Sequence, residues 1–227
     1  MNIVYCLTRN LYDYLLPSIR SLMEHDGDRI KNIFLMIEDD TFPHELPDVC
    51  RIINVSGQQH FTRSGANAGT RFTYMAMMRV TYAKYLPEDI DKVIQLDIDT
   101  IICDTLEPIW NIDLTGKWFA GAIEPGKTRE KGKPYINAGV MVINLKAIRD
   151  EDMTDKFINI LNTNRMQFID QDLWNSYADK GVQFDSRYNE TNFTGLSINP
   201  AVVHYAGIGN WYKNKTMFRV EYLNKYR

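Results

Sequence analysis

The stretch Lys92-Val93-Ile94-Gln95-Leu96-Asp97-Ile98-Asp99-Thr100-Ile101-Ile102-Cys103 sets two carboxylates, one residue apart, between apolar runs. In extended chain, residues i and i+2 project to the same side, and paired carboxylate oxygens suit a hard divalent cation. The spacing alone is weak, because it recurs at Asp26 and Asp28, Asp89 and Asp91, Asp150 and Asp152, and Asp170 and Asp172. Most such pairs are solvated surface charges. Asp97 and Asp99 stand apart because they end one apolar run and precede another, where charge without a cation or partner is costly. Two carboxylates leave much of a metal shell open, and substrate phosphates commonly complete it; Mg²⁺ or Mn²⁺ would suit.

Outward from this stretch toward the N-terminus, short apolar runs alternate with amphipathic ones: Ile3 to Leu7, Leu15 to Met23, Ile33 to Ile37, Val49 to Val55, a helical segment, and Val93 to Leu96. That alternation reads as an α/β sheet. Ligands of open α/β sheets gather outside the carboxyl ends of the strands, where the acidic pair falls. In the helical segment Phe72, Met75, Ala76, Tyr82, Ala83 and Leu86 recur at helical spacing, and Arg79 shares their stripe. An inward guanidinium needs a partner: a carboxylate or open solvent on the plain reading, a ligand phosphate on the functional one.

Toward the C-terminus the expectation is a strand at Trp118 to Ile123, a charged surface loop at Pro125 to Pro134, a strand at Gly139 to Ile143, helices near Asp152 to Leu161 and Asp170 to Ala178, and a strand at Ala201 to His204. The loop carries Lys127, Arg129, Lys131 and Lys133 and, if mobile, could close over an anion. His204 ends its strand where ligands collect, although a single histidine beside an apolar run is more often structural.

With 227 residues, 44% hydrophobic and 24% charged, the chain suits one globular domain over residues 1–227. Its halves are 1–104, ending in the acidic pair, and 105–210, followed by a basic aromatic segment at 211–227. Net charge is −3 with lysine and arginine dispersed, which disfavours nucleic acid as a partner. No apolar run approaches the roughly 20 residues that span a bilayer, and the opening lacks a signal-peptide layout, so a cytoplasmic protein is expected. Cys6, Cys50 and Cys103 are too few and too spread for a disulfide framework and read as buried thiols. Asn54, Asn189, Asn192 and Asn214 each begin an Asn-x-Ser/Thr triplet, without evident meaning in a cytoplasmic chain.

The run Asp91 to Ile101 resembles glycosyltransferase family 8, retaining enzymes related to lipopolysaccharide galactosyltransferases and glycogenin, and further segments follow in the family's order. Asn2 to Thr8 is similar to the first nucleotide-binding strand, and Arg79 ahead of Leu86-Pro87-Glu88 to the family's Arg-containing helix. Tyr135-Ile136-Asn137-Ala138-Gly139 resembles its Phe/Tyr-x-Asn-x-Gly segment, Asp170-Gln171-Asp172-Leu173-Trp174-Asn175 its Asp-Gln-Asp-x-x-Asn motif, and His204-Tyr205-Ala206-Gly207 its late His-x-x-Gly.

The resemblance implies a single GT-A domain, Rossmann-like and nucleotide-sugar-binding, with a mixed central sheet and flanking helices. It implies a UDP-sugar donor, UDP-glucose or UDP-galactose, from which a hexose passes to a saccharide, lipid or protein acceptor. Asp97, Asp99 and His204 would hold Mn²⁺ or Mg²⁺ against the diphosphate, with Arg79 nearby. Asn137, Asp170 and Gln171 would meet the transferred sugar, and Cys6, Thr8 and Ile98 the nucleoside. Gln171, an amide, is a poor nucleophile, which favours front-face attack over a covalent intermediate. Two positions depart from the family pattern: Thr8 stands where an acid usually contacts uracil, and Gly207-Ile208-Gly209-Asn210-Trp211 lacks the diphosphate lysine, for which Lys213 or Lys215 is the substitute. The tail Trp211 to Arg227 either lies on an anionic inner membrane face or packs on the core as a closing helix. Rival readings are a haloacid-dehalogenase-like phosphohydrolase, whose Asp-x-Asp also follows a strand, and a non-catalytic nucleotide-sugar binder.

Overall fold

The protein is described here by a computed structural model covering residues 1–70, 73–194 and 197–227. Its strands are β1 (Asn2–Cys6), β2 (Asn32–Ile37), β3 (Cys50–Asn54), β4 (Lys92–Leu96), β5 (Thr100–Ile102), β6 (Phe119–Ile123), β7 (Ile136–Asn144), β8 (Gly181–Phe184) and β9 (Val202–His204). Seven form one sheet in the order β3-β2-β1-β4-β7-β6-β8, and β5 pairs with β9 in a second, two-stranded sheet. The half from β3 to β4 is parallel, whereas β7 runs antiparallel to both β4 and β6, so the large sheet is mixed.

The central strands are apolar on both faces because both are covered. Val4, Phe34, Met36, Val93, Met141 and Ile143 face one core, with Met75, Met78, Phe157 and Trp174. Their strand neighbours Ile3, Tyr5, Ile33, Leu35, Ile94 and Val142 face the other, packed with Leu15, Ile19 and Leu22 of α1 (Tyr12–Asp26). The period-two alternation of the pleat thus divides one apolar sequence between two layers.

The expected continuous helix around Arg79 is instead α2 (Tyr74–Met78), a 3₁₀ turn (Arg79–Thr81) and α3 (Tyr82–Tyr85). The Thr81 hydroxyl donates to the Met78 carbonyl at 2.6 Å, a local bond that competes with the regular ladder. Phe72 lies outside the described residues.

The remaining helices are α4 (Glu107–Trp110), α5 (Pro125–Lys131), α6 (Leu145–Asp150), α7 (Met153–Thr163), α8 (Asp170–Ser176) and α9 (Val220–Asn224). Helix α5 replaces the expected surface loop. Pro125 begins it, Gly132 ends it at φ +68°, and Lys127 bridges Glu130 at 2.7 Å, so proline at the start and glycine just past the end outweighed the charge-rich composition.

At the C-terminus Met217, Leu223 and Tyr226 are buried against Ile101, Val203 and Tyr205, and the Trp211 ring stacks on Tyr205 at 5.7 Å. The tail therefore closes over the small sheet. Among the described residues no helix is long and apolar enough to cross a membrane. The three cysteines are free thiols; Cys6 is buried, while Cys50 and Cys103 are only half-buried.

Candidate active site

Strand β4 ends at Leu96, and the chain turns through Asp97-Ile98-Asp99 into β5. The turn is fixed from three sides: Asp97 N–H donates to the Gly139 carbonyl at 2.8 Å, Tyr205 N–H to the Asp99 carbonyl at 2.9 Å, and the Thr100 hydroxyl to the Asp97 carbonyl at 2.7 Å. Register then delivers the histidine. Thr100 pairs with His204 across the small sheet, which sets His204 Nε2 at 3.5 Å from Asp97 Oδ2 and 3.3 Å from Asp99 Oδ1. One ligand atom from each of the three residues lies within 4.8 Å of the others. The imidazole sits so tightly on β7 that a Cβ on Gly139 would lie 2.0 Å from its Cε1.

Arg79 meets carboxylates: its Nη2 lies 2.5 Å from Asp97 Oδ1 and its Nη1 3.4 Å from Asp170 Oδ2. The first contact buries Asp97 Oδ1 against the guanidinium. Burial works to raise the Asp97 carboxyl, yet Arg79 and His204 outweigh it and hold it below the usual range. Burial opposes charge on His204 too, but Asp99 and Asp97 raise the imidazolium to about 10. For Asp170 burial wins over the pull of Arg79, and its carboxyl rises to about 6. Two carboxylates and one imidazole nitrogen form a donor set that fits a divalent cation of the Mg²⁺ or Mn²⁺ type.

Beside this cluster, Gln171 Oε1 accepts from Ala138 N–H at 3.0 Å, while its Nε2 donates to Glu124 Oε2 at 3.3 Å. The same Glu124 oxygen accepts from Asn137 Nδ2 at 3.1 Å. Ahead of Asp170, Ile169 takes φ +43°, ψ −107°, a conformation that a β-branched residue adopts only at a cost of about 1–3 kcal/mol. It is fully buried. Strain there aims the start of α8 at Arg79.

Sequence reasoning missed Glu124 and Asn189. Asn189, fully buried, joins His204 Nδ1 at 2.8 Å and Asn137 Oδ1 at 2.9 Å. Its only visible signal was an Asn-x-Thr triplet, which burial excludes as a glycan acceptor. Two of the other acidic pairs also have members that serve the fold, Asp26, which is buried, and Asp172, which is half-buried. Asp26 accepts from the Thr105 hydroxyl at 2.6 Å and Leu106 N–H at 2.7 Å, and Asp172 from the Tyr135 hydroxyl at 2.5 Å and Phe168 N–H at 2.8 Å.

The structure brings Asp97, Asp99, His204, Arg79, Asp170, Gln171 and Asn137 into one contact network. Five expected residues lie outside it. Cys6 donates its thiol proton to the Met75 carbonyl at 3.3 Å, and burial pushes that thiol up to about 12. Thr8 donates to Asn10 Oδ1 at 2.6 Å, and Ile98 is half-buried at the tip of the acidic turn. Gly207 turns the chain at φ +69°, and Lys213 is exposed on a 3₁₀ turn (Trp211–Lys213) that begins after Asn210.

Comparison with known proteins bears on this geometry. The family model described as Glycosyl transferase family 8 matches residues 2–211. A Haemophilus influenzae protein provisionally named a glycosyltransferase is 25% identical, over 95% of this chain and 74% of its own. General stress protein A of Bacillus subtilis is 22% identical, over 99% and 92%. Among solved structures, the galactosyltransferase LgtC in complex with donor and acceptor sugar analogs superposes with a TM-score of 0.81 at 24% identity, covering 99% of this chain and 94% of that one. The architecture is the GT-A fold of that enzyme.

Proposed function

The chain belongs to glycosyl transferase family 8, and from that premise we propose that it is a metal-dependent retaining transferase moving a hexose from a UDP-sugar, UDP-glucose or UDP-galactose, to an acceptor hydroxyl. The observation that carries the metal reading is the convergence of Asp97, Asp99 and His204 at the mouth of the sheet. When bound there, the cation supplies positive charge to the diphosphate leaving group. Arg79, already held between Asp97 and Asp170, turns its charge toward the same diphosphate. Lys213, exposed beyond Asn210, stands in for the lysine absent from that segment.

On the sugar side, Gln171 commits its carbonyl oxygen to Ala138 N–H, which leaves no free nucleophile there. Front-face attack follows, with a leaving phosphate oxygen taking the acceptor proton. Asn137 and Glu124, in contact with each other and Glu124 with Gln171, orient sugar hydroxyls, and Asp170 steadies positive charge at the anomeric carbon.

The test is UDP binding with and without Mn²⁺ or Mg²⁺. Wild type binds only with metal, and the pair Asp97→Asn with Asp99→Asn abolishes binding; metal-independent binding by the double variant would overturn the site. A screen of UDP-sugars for metal-dependent hydrolysis then assigns the donor. Asn210 in place of lysine favours one second reading, a non-catalytic nucleotide-sugar binder, which predicts UDP binding without hydrolysis of any donor.

A further inference from the structure

The polarity of one buried chain of amides can be deduced link by link. It starts from a group whose role is fixed: the Gly139 backbone N–H can only donate. Gly139 N–H donates to Asn137 Oδ1 at 2.9 Å, so the other end of that amide, Nδ2, faces Glu124 Oε2. Asn137 Oδ1, now known to be oxygen, must receive a donor from Asn189. That donor is Asn189 Nδ2, at 2.9 Å. Asn189 therefore turns Oδ1 toward His204 Nδ1, at 2.8 Å, and an amide oxygen there requires that Nδ1 carry the proton. Nε2 is left as the nitrogen facing Asp97 and Asp99.

The backbone holds Asn189 as firmly as its side chain is held. It ends a 3₁₀ turn (Ser186–Asn189) capped by Asp185, and the following Glu190 bonds the strand of His204 on both sides, N–H to the Val202 carbonyl at 2.9 Å and carbonyl to His204 N–H at 2.8 Å.

We propose that Asn189 is a positioning residue of the metal site: it fixes the His204 ring, reserves Nε2 for the cation, and ties that choice through Asn137 to the sugar pocket. The inference rests on the metal reading above. Partners of this kind, behind a ligating histidine, typically change metal affinity about 10- to 100-fold when removed.

Mn²⁺ binding without donor, followed by electron paramagnetic resonance, tests the proposal in wild type, Asn189→Ala and Asn189→Asp. Alanine should weaken binding about 10- to 100-fold, whereas aspartate, which keeps an acceptor for Nδ1–H, should stay within about threefold of wild type. Aspartate also loses the donor to Asn137, so its donor hydrolysis slows while Mn²⁺ binding holds. Equal binding by alanine and wild type overturns the proposal, as does a fall in aspartate that matches alanine.

A second readout needs neither metal nor a stable variant. In ¹⁵N-histidine-labelled wild type, the His204 Nδ1 proton should be exchange-protected and shifted downfield; its absence overturns the assignment. Failure of wild type to bind Mn²⁺ while that proton is present would sink the metal reading and with it the role of Asn189 in a metal site, leaving only the hydrogen-bond assignment.

Discussion

Gly139→Ala adds one methyl group and should weaken metal binding at the proposed site. The new Cβ would lie 2.0 Å from His204 Cε1, 2.5 Å from Nδ1 and 2.8 Å from Nε2, against the 3.4 Å at which ordinary contact begins. Backbone strain plays no part, since Gly139 is not among the residues with positive φ; by conformational freedom alone alanine would gain about 0.5–1 kcal/mol in a strand. The imidazole must therefore retreat by about 1.4 Å, roughly seven times the ±0.2 Å that metal–ligand bonds tolerate. It has nowhere to go. The ring is 3% exposed, bonded behind to Asn189, and its strand is paired with β5. Overpacking of this kind costs about 1–3 kcal/mol of stability. The expected result is a folded protein with a lowered melting temperature and Mn²⁺ affinity reduced at least about 10-fold, with weak residual binding through Asp97 and Asp99. Mn²⁺ titration by electron paramagnetic resonance, with circular dichroism for folding, measures both. A Gly139→Ala protein with wild-type affinity would refute the claim that His204 is a ligand in the position described.

Two further outcomes follow from charge and from packing. In metal-free protein His204 is raised to about 10 from a usual 6.5, because Asp99 and Asp97 outweigh burial. A raised folded-state value stabilises below the unfolded one and is lost upward, so the contribution is complete below about pH 6.5 and disappears as pH climbs through 10. Cation binding must displace that proton, so calorimetry at pH 7 in two buffers of different ionisation enthalpy should show release of about one proton per metal; no release would refute it. Separately, Leu223→Ala, at a fully buried position in the closing tail, should destabilise by about 2–5 kcal/mol in urea unfolding. A loss under about 0.5 kcal/mol, typical of surface positions, would mean that the tail does not pack on the small sheet.

Among the elements read correctly from sequence, the four central strands owe their legibility to two-sided burial. β1, β2, β4 and β7 are apolar on successive residues because helices cover both faces, and that composition is visible without knowing the partners. β5 and β8 went unread: Thr100–Ile102 is three residues long and follows directly on the acidic turn, and Gly181–Phe184 is half-buried at the sheet edge. Helix α5 shows a competition of signals, its charges indicating solvent and its Pro125 and Gly132 a helix start and stop. The charges described its surface; the two punctuating residues described its backbone.

The site divides along a similar line. Asp97 and Asp99 were legible because carboxylates between apolar runs violate a local rule, and a local violation can be seen in one stretch of chain. Asn189, Glu124 and Gly139 violate nothing locally. Asn189 matters because β9 carries His204 to it, Glu124 because β6 ends opposite Asn137 and Gln171, and Gly139 because of a methyl group it does not have. Each role is a distance between residues far apart in sequence, set by strand register and van der Waals contact, and none belongs to a residue taken with its chain neighbours. What a single sequence exposes is therefore charge out of place among apolar residues. The amides that hold His204, and the space left beside it, appear only once the strands are paired.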